Sequence, residues 1–467
     1  MLRTLVGVLA SAAVAACGGG SDGPSVVTGG PPVVNATSRT QVATVGAPFS
    51  YDATRNGSAF TDPKGQGLTY AVTFSPAANG LTASAGRISG TPSTPGVIGV
   101  ELTATDVRGD AARQSFFVVA FAAGLPMPTL PAQSFQYTDA AVPLPAHFRV
   151  DDGVLGPATR TDNTPATNPT TNAGATLGRV LFYDTRLSSN DQIACASCHQ
   201  QAFGFSDTAR FSRGVAGRTT RHAMGLANAR FYQLGRFFWD ERAATLEDQI
   251  LRPIQDKVEM GMTLDNLVIK LSATTYYPAL FQAAFGTPEV TTDRISLAVA
   301  QFVRALVSSN SRFDDTFDAN GVFDSAKLTA EERDGRALFT GAAGCGMCHA
   351  TNAVVSDAPH NTGLDATVTD PGSIGGRFKA PSLRNVEVRP PYMHDGRFQT
   401  LAEVVEFYDS GVQPNPGLDS RLRTGQGPKR LGLTAAQRAS LVAYLRTLTD
   451  PTFIRAQRFA SPFVTTP

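Results

Sequence analysis

Cys195-Ala196-Ser197-Cys198-His199 is answered far downstream by Cys345-Gly346-Met347-Cys348-His349. Two thiols at this spacing can add to the vinyl groups of a porphyrin, and the imidazole that follows can supply the proximal nitrogen to its iron. That is the attachment chemistry of c-type haem, and its repetition predicts two covalent haems on one chain. A redox dithiol needs no following His and belongs beside a βαβ pattern. A zinc site built from both pairs would bridge about 150 residues, far beyond structural zinc spacing.

The remaining cysteine, Cys17, closes a different motif. Arg3 is followed by the apolar run from Leu5 to Ala16, then by Cys17 and a polar, Gly-rich stretch. This pattern predicts an export signal, not a spanning helix. Val14-Ala15-Ala16-Cys17 resembles a bacterial lipobox, which implies lipidation at Cys17 and a chain anchored at the periplasmic or surface side of the envelope, at the outer membrane. All five cysteines then have a role and none is left for a disulfide. A net charge of +1, from 40 basic and 39 acidic residues, argues against nucleic acid as a partner.

At 467 residues the chain must divide into several domains. The signal at 1–17 is followed by a flexible tether over 18–35. Residues 36–122 carry β signals around Pro48–Tyr51, Leu68–Phe74, Val97–Thr105 and Ser115–Phe121, separated by Gly, Pro, Asn and Asp clusters. Val100, Leu102 and Ala104 alternate with Glu101, Thr103 and Thr105, the pattern of a strand with one buried face, so the expected fold is a small antiparallel β-sandwich. A Pro/Thr/Asn-rich linker covers 123–172. From 173 the signals are helical and predict two mainly α-helical haem domains, 173–312 and 313–455, with a tail over 456–467. Thr329/Glu332, Thr400/Glu403 and Thr434/Gln437 read as capping boxes. Ile295, Ala298, Val299, Phe302, Val303 and Leu306 follow the spacing of a buried helical stripe.

Phe60–Gly65, Gly86–Pro92 and Ala104–Asp106 resemble the immunoglobulin-like, cadherin-like modules of bacterial surface proteins. Such a module implies either a contact surface or a spacer, and the lack of clustered aromatics favours the spacer.

Between the haem motifs, Phe238-Trp239-Asp240-Glu241-Arg242, Leu246-Glu247-Asp248-Gln249, Pro253 and Val258-Glu259-Met260 resemble bacterial di-haem cytochrome c peroxidases and MauG-type enzymes. Ala380–Val386 and Pro391–Gly396 carry the same resemblance into the C-terminal half. It implies that Glu259 handles protons at the first haem, that Gln249 orients peroxide, and that Pro253 shapes the pocket. Trp239, the chain's one tryptophan, becomes the electron bridge. Chemistry supports the first role, because a carboxyl in an apolar pocket has its pKa raised toward neutrality.

Two departures stand out. The position of the His that caps the first haem in reductively activated relatives aligns with Gly214, and no His lies between His199 and His222. The first haem is therefore expected to be open unless His222 swings in. His222 stands where the family has an Asn of an interdomain calcium site, completed by the carbonyls of Arg389 and Pro391. A neutral imidazole suits a hard cation poorly, which puts calcium in question.

The distal Met of the second haem aligns with Tyr408, and His394 is the competing candidate. Leu401, Val404, Val405 and Tyr408 share one apolar helical face below the Thr400 cap. His147 and His360 are expected at the surface. The resulting expectation is a di-haem peroxidase that draws electrons from a small redox protein or oxidises a partner protein. Its rivals are a non-catalytic electron-transfer cytochrome and a surface-binding lipoprotein.

Overall fold

The structure, a computed structural model, describes residues 30–463 apart from 426. Cys17 and the export signal lie outside the described residues.

The first domain contains β1 (Val33–Val34), β2 (Gln41–Thr44), β3 (Phe49–Asp52), β4 (Phe60–Thr61), β5 (Thr69–Ser75), β6 (Leu81–Ser84), β7 (Arg87–Gly90), β8 (Gly96–Thr105) and β9 (Ala111–Phe121). One sheet runs β2-β9-β8-β5 and the other β3-β7-β6, while β1 pairs with β4. In β8, Val100, Leu102 and Ala104 turn into a core with Ile88 and Val118, while their neighbours stay half-exposed. The sandwich differs from the expected one at two points. β2 lies parallel to β9, from Gln41 opposite Val118 to Thr44 opposite Phe121, and so covers an edge that would otherwise be open. β1 also shows that the domain begins inside the expected tether.

The rest of the described chain is mainly helices and loops, with α1 (Ala146–Arg149), α2 (Asn172–Tyr183), α3 (Cys195–Cys198), α4 (Leu246–Gln255), α5 (Leu264–Ser272), α6 (Tyr277–Phe285), α7 (Thr292–Ala305), α8 (Ala330–Thr340), α9 (Leu401–Glu406) and α10 (Ala435–Arg446), and one short antiparallel pair, β10 (Arg423–Thr424) with β11 (Gly427–Pro428). All three expected capping boxes form, with each Thr side chain accepting from the backbone three residues on and each Glu or Gln reaching back. The two haem domains use one device twice. α2 crosses α7 at Gly178, where a Cβ would lie 1.9 Å from the Ala298 carbonyl, and α8 crosses α10 at Gly335, where it would lie 1.9 Å from that of Ser440. Only glycine allows backbones this close.

Linker and tail are built into the fold. Phe148 of α1 is fully buried against Phe231, and its cluster reaches Ala353 and Val355 of the second haem domain. The linker stretch from Leu144 to Ala158 therefore wedges between the two haem domains, while Tyr137 before it bonds the tail at Arg458 O. His147 is buried, with Nε2 2.7 Å from Asp314, which also pairs with the fully buried Arg384 at 2.6 Å. A surface position for His147 is thus wrong. Phe453 and Phe459 return to the first haem domain and pack in its core beside Phe205 and Phe302. Among the described residues no helix is long and apolar enough to cross a membrane.

Candidate active site

Each haem motif forms a single turn closed by the backbone N–H of its histidine on the carbonyl of its first cysteine. His199 N–H donates to Cys195 O and His349 N–H to Cys345 O, both at 3.0 Å. The rings are held alike: Nδ1 lies 3.0 Å from Phe205 O in one and 3.0 Å from Val354 O in the other. A carbonyl only accepts, so Nδ1 carries the proton and Nε2 keeps its lone pair. Burial keeps both imidazoles neutral by pushing their pKa values down, that of His349 to about 4. This is the tautomer and charge state that a haem iron requires of a proximal ligand.

Cys345, Cys348 and His349 line a cavity of about 230 Å³ together with Leu401, Val405 and Tyr408. Two thiols, one preset imidazole and an apolar wall fit a c-type haem. Tyr408 does not continue the α9 helix. The chain widens there into a π-turn, Phe407–Gly411, a geometry often found at functional sites. Buried Asp409 pins that turn by accepting from Leu433 N–H at 2.9 Å and pairing with Arg438 at 2.9 Å. Burial first, and then Cys348 and Cys345, push the Tyr408 phenol pKa up, while a contact with Thr362 works against them. The phenol is neutral unless a cation meets its oxygen. His394 stacks on Phe378 at 3.6 Å and lines a different cleft, whereas Met393 shares the haem cavity with Tyr408.

At the first motif, Cys195 packs against the core that holds Leu246, Ile250, Ile254 and Met260. α4 supplies the first three, starting from the Thr245 cap. Pro253 within α4 has no N–H for the Gln249 carbonyl, and the helix ends two residues later. The chain then turns through Asp256, whose carboxylate accepts from Val258 N–H at 2.8 Å and Glu259 N–H at 3.1 Å. The turn brings Glu259 within electrostatic reach of Cys195 and Cys198, whose pKa values its charge raises behind the larger effect of burial. Burial, then Asp256, raises the Glu259 pKa; Arg242 partly offsets them.

Gly214 lies flat against this turn. A Cβ there would stand 2.0 Å from Val258 O and 2.7 Å from Glu259 Cα. Val215 N–H donates to Glu259 O at 2.9 Å and Ala216 N–H to Val258 O at 3.2 Å. The loop that carries a capping His in some relatives is here a backbone latch on the Glu259 turn, with no room for a side chain at 214.

Trp239 lines the cavity of the second motif, and its Nε1–H donates to His222 O at 2.7 Å. It therefore joins the two halves. His222 is engaged within its own loop, Nδ1 3.1 Å from Ala209 O and Nε2 3.2 Å from Ser206 Oγ. The Ser206 hydroxyl itself donates to Ala223 O at 2.7 Å, so the Nδ1–H bond to Ala209 is what holds the ring in its loop.

His360, expected at the surface, is buried between Asp419 at 2.6 Å and Asp357 at 2.8 Å. Burial alone would lower its pKa, but Cys348 and the two carboxylates raise it to about 9. Sequence reasoning also missed the Arg389 side chain, which is buried in the wall of the cavity. Its only sequence signal was its place beside the Pro390-Pro391-Tyr392 run.

A family model for di-haem cytochrome c peroxidase matches residues 172–321, one for cytochrome c matches 332–449, and one for an Ig domain matches 31–120. The methylamine utilization protein MauG of Methylorubrum extorquens is 35% identical over 298 residues, covering 61% of this chain and 80% of that protein. The cytochrome c551 peroxidase of Nitrosomonas europaea is 34% identical over 252 residues, covering 50% and 71%. A crystal structure of a MauG-like protein associated with microbial copper homeostasis superposes with a TM-score of 0.56 at 33% identity, covering 64% of this chain and 96% of that one.

Proposed function

Since this chain belongs to the di-haem cytochrome c peroxidase and MauG family, we propose that it reduces hydrogen peroxide at the Cys195/Cys198/His199 haem with electrons relayed from the Cys345/Cys348/His349 haem. The bound haems supply an open coordination position for peroxide and a store of oxidising equivalents. Converting peroxide to two waters consumes two electrons and two protons, and the protons are the task of this chain's side chains.

Glu259 would move a proton from one peroxide oxygen to the other, a role suited to a carboxyl whose burial raises its pKa. The Gln249 amide orients the peroxide. Pro253 ends the helix that would otherwise carry the Glu259 turn away. Trp239 passes electrons between the halves. The observation that carries this reading is a titrating carboxyl held beside the first motif by a latch that leaves no capping side chain, a feature that an electron-transfer cytochrome does not need.

Glu259→Gln keeps the shape and removes the titration. Peroxide turnover is expected to fall by ~10²-fold or more with haem spectra nearly unchanged. In the parent, turnover falls as pH drops through the raised carboxyl pKa, because the protonated group cannot act as the base, and the variant loses that acid limb. Unchanged turnover with the limb intact would reject the assignment.

The electrons come from a small redox protein, or the oxidising equivalents are spent on a partner protein in the manner of MauG. Lipidation at Cys17 holds the enzyme at the outer membrane, facing the periplasm or the surface. Cys17→Ser should release the protein from the detergent-soluble membrane fraction. Retention there would remove the anchor from this account.

A further inference from the structure

We propose that the Arg389 guanidinium is the built-in cation of the space between the two haem motifs and that its counter-charge is a propionate carboxylate of the second haem, which makes a divalent cation there unnecessary. The proposal rests on the reading that both motifs carry haem.

Arg389 is 7% exposed, yet among the described residues it has no carboxylate within ion-pair reach. Its one hydrogen bond runs from Nη2 to Ser382 O, and Nε is buried without a partner. The other buried cations are provided for. Arg384 meets Asp314 at 2.6 Å, Arg304 meets Glu247 at 2.6 Å, and Lys270 meets Asp191. Lys379 and Arg179, which lack a carboxylate, lie over aromatic rings at 4.1 Å and 4.9 Å. Arg389 has neither kind of partner, and a buried charge is retained only when something pairs with it.

What faces it is the cavity lined by Cys348, His349, Trp239 and His222. Gly225 makes the room, since a Cβ at that position would stand 2.6 Å from Nη1. A c-type haem attached at Cys345 and Cys348 brings two carboxylates, and a planar guanidinium is the side chain that pairs with a carboxylate through two parallel hydrogen bonds. A calcium ion beside this buried charge would be repelled, and the neutral imidazole of His222, whose Nδ1–H is spent on Ala209 O, offers a hard cation only a nitrogen.

The test is a spectroelectrochemical titration of the holoprotein, its Arg389→Met and Arg389→Lys variants, and the parent with EGTA. A positive charge near a haem favours its reduced state. Arg389→Met should therefore lower the midpoint of one haem only, the second, while Arg389→Lys stays close to the parent. EGTA should leave the parent's melting temperature and both midpoints where they were.

Parent midpoints in a folded Arg389→Met variant, or a loss of stability in EGTA, would overturn the proposal. If Arg389→Met yields no folded holoprotein, the other arms decide. Arg389→Lys with parent midpoints together with EGTA insensitivity supports it, and sensitivity in either arm overturns it. A pyridine haemochrome count of one haem per chain would instead sink the two-haem reading on which the proposal stands.

Discussion

Tyr408 carries the finest distinction in the molecule. Its phenol stays protonated in the apolar cavity because burial raises its pKa, and ferric iron is the kind of cation that reverses this. A phenolate ligand at this position would stabilise the oxidised state and lower the potential relative to a thioether. Tyr408→Phe is expected to raise the midpoint and alter the spectrum of one haem only, with Met393, in the same cavity, as the ligand at hand. Spectroelectrochemistry of the two haems checks this, and two unchanged haems would remove Tyr408 from the iron. The types of these residues were legible in the sequence because haem attachment depends on immediate neighbours. The engagement of His360, His147 and Arg389 was not legible. His147 finds Asp314 a full 167 positions away, and His360 finds Asp419 59 positions away, distances over which no local pattern speaks.

Elements defined by local chemistry were readable for the same reason. Thr329, Thr400 and Thr434 cap their helices through residues three positions on, and the α7 stripe is buried as its period requires. Where tertiary contacts decide, the reading was partial: Leu401, Val404, Val405 and Tyr408 do line one cavity. The face ending at Tyr408 looked like continuous helix, but Asp409, drawn to Leu433 and Arg438 at the start of α10, opens it into a π-turn. The latch between Gly214 and the Glu259 turn is likewise an element-level device. In Gly214→Ala the new methyl meets Val258 O, and such overpacking typically costs about 1–3 kcal/mol. A lower melting temperature and reduced peroxide turnover are expected, with the second haem's spectrum unaltered. Parent values for both would show that the two loops are not held against each other.

At the scale of the whole molecule, the β-sandwich is joined to the haem domain by more than a linker. Its last strand ends at Phe121, whose ring lies 5.9 Å from Lys270 Nζ and 5.8 Å from the Arg186 guanidinium. Ala122 N–H donates to Asp191 at 2.9 Å, and Asp191 pairs with Lys270 where both are fully buried. Asp191 stands four positions before Cys195, and Ser189 N–H is bonded to Met260 O at 2.9 Å, so one buried network links the sandwich to the Glu259 turn. Lys270→Met strands a buried carboxylate, a loss of about 3–5 kcal/mol. Calorimetry should show a fall in stability, and absorption spectra should show disturbance at the first haem alone; equal effects on both haems would deny the link.

The return of Phe453 and Phe459 into the first haem domain also sets an order on the protein's assembly. A chain threaded through a membrane from its beginning presents Cys195 and Cys198 long before those two rings exist to close the core around Phe205 and Phe302. In such an export the first thiols would stay open to haem attachment until the late segment that completes the core arrived.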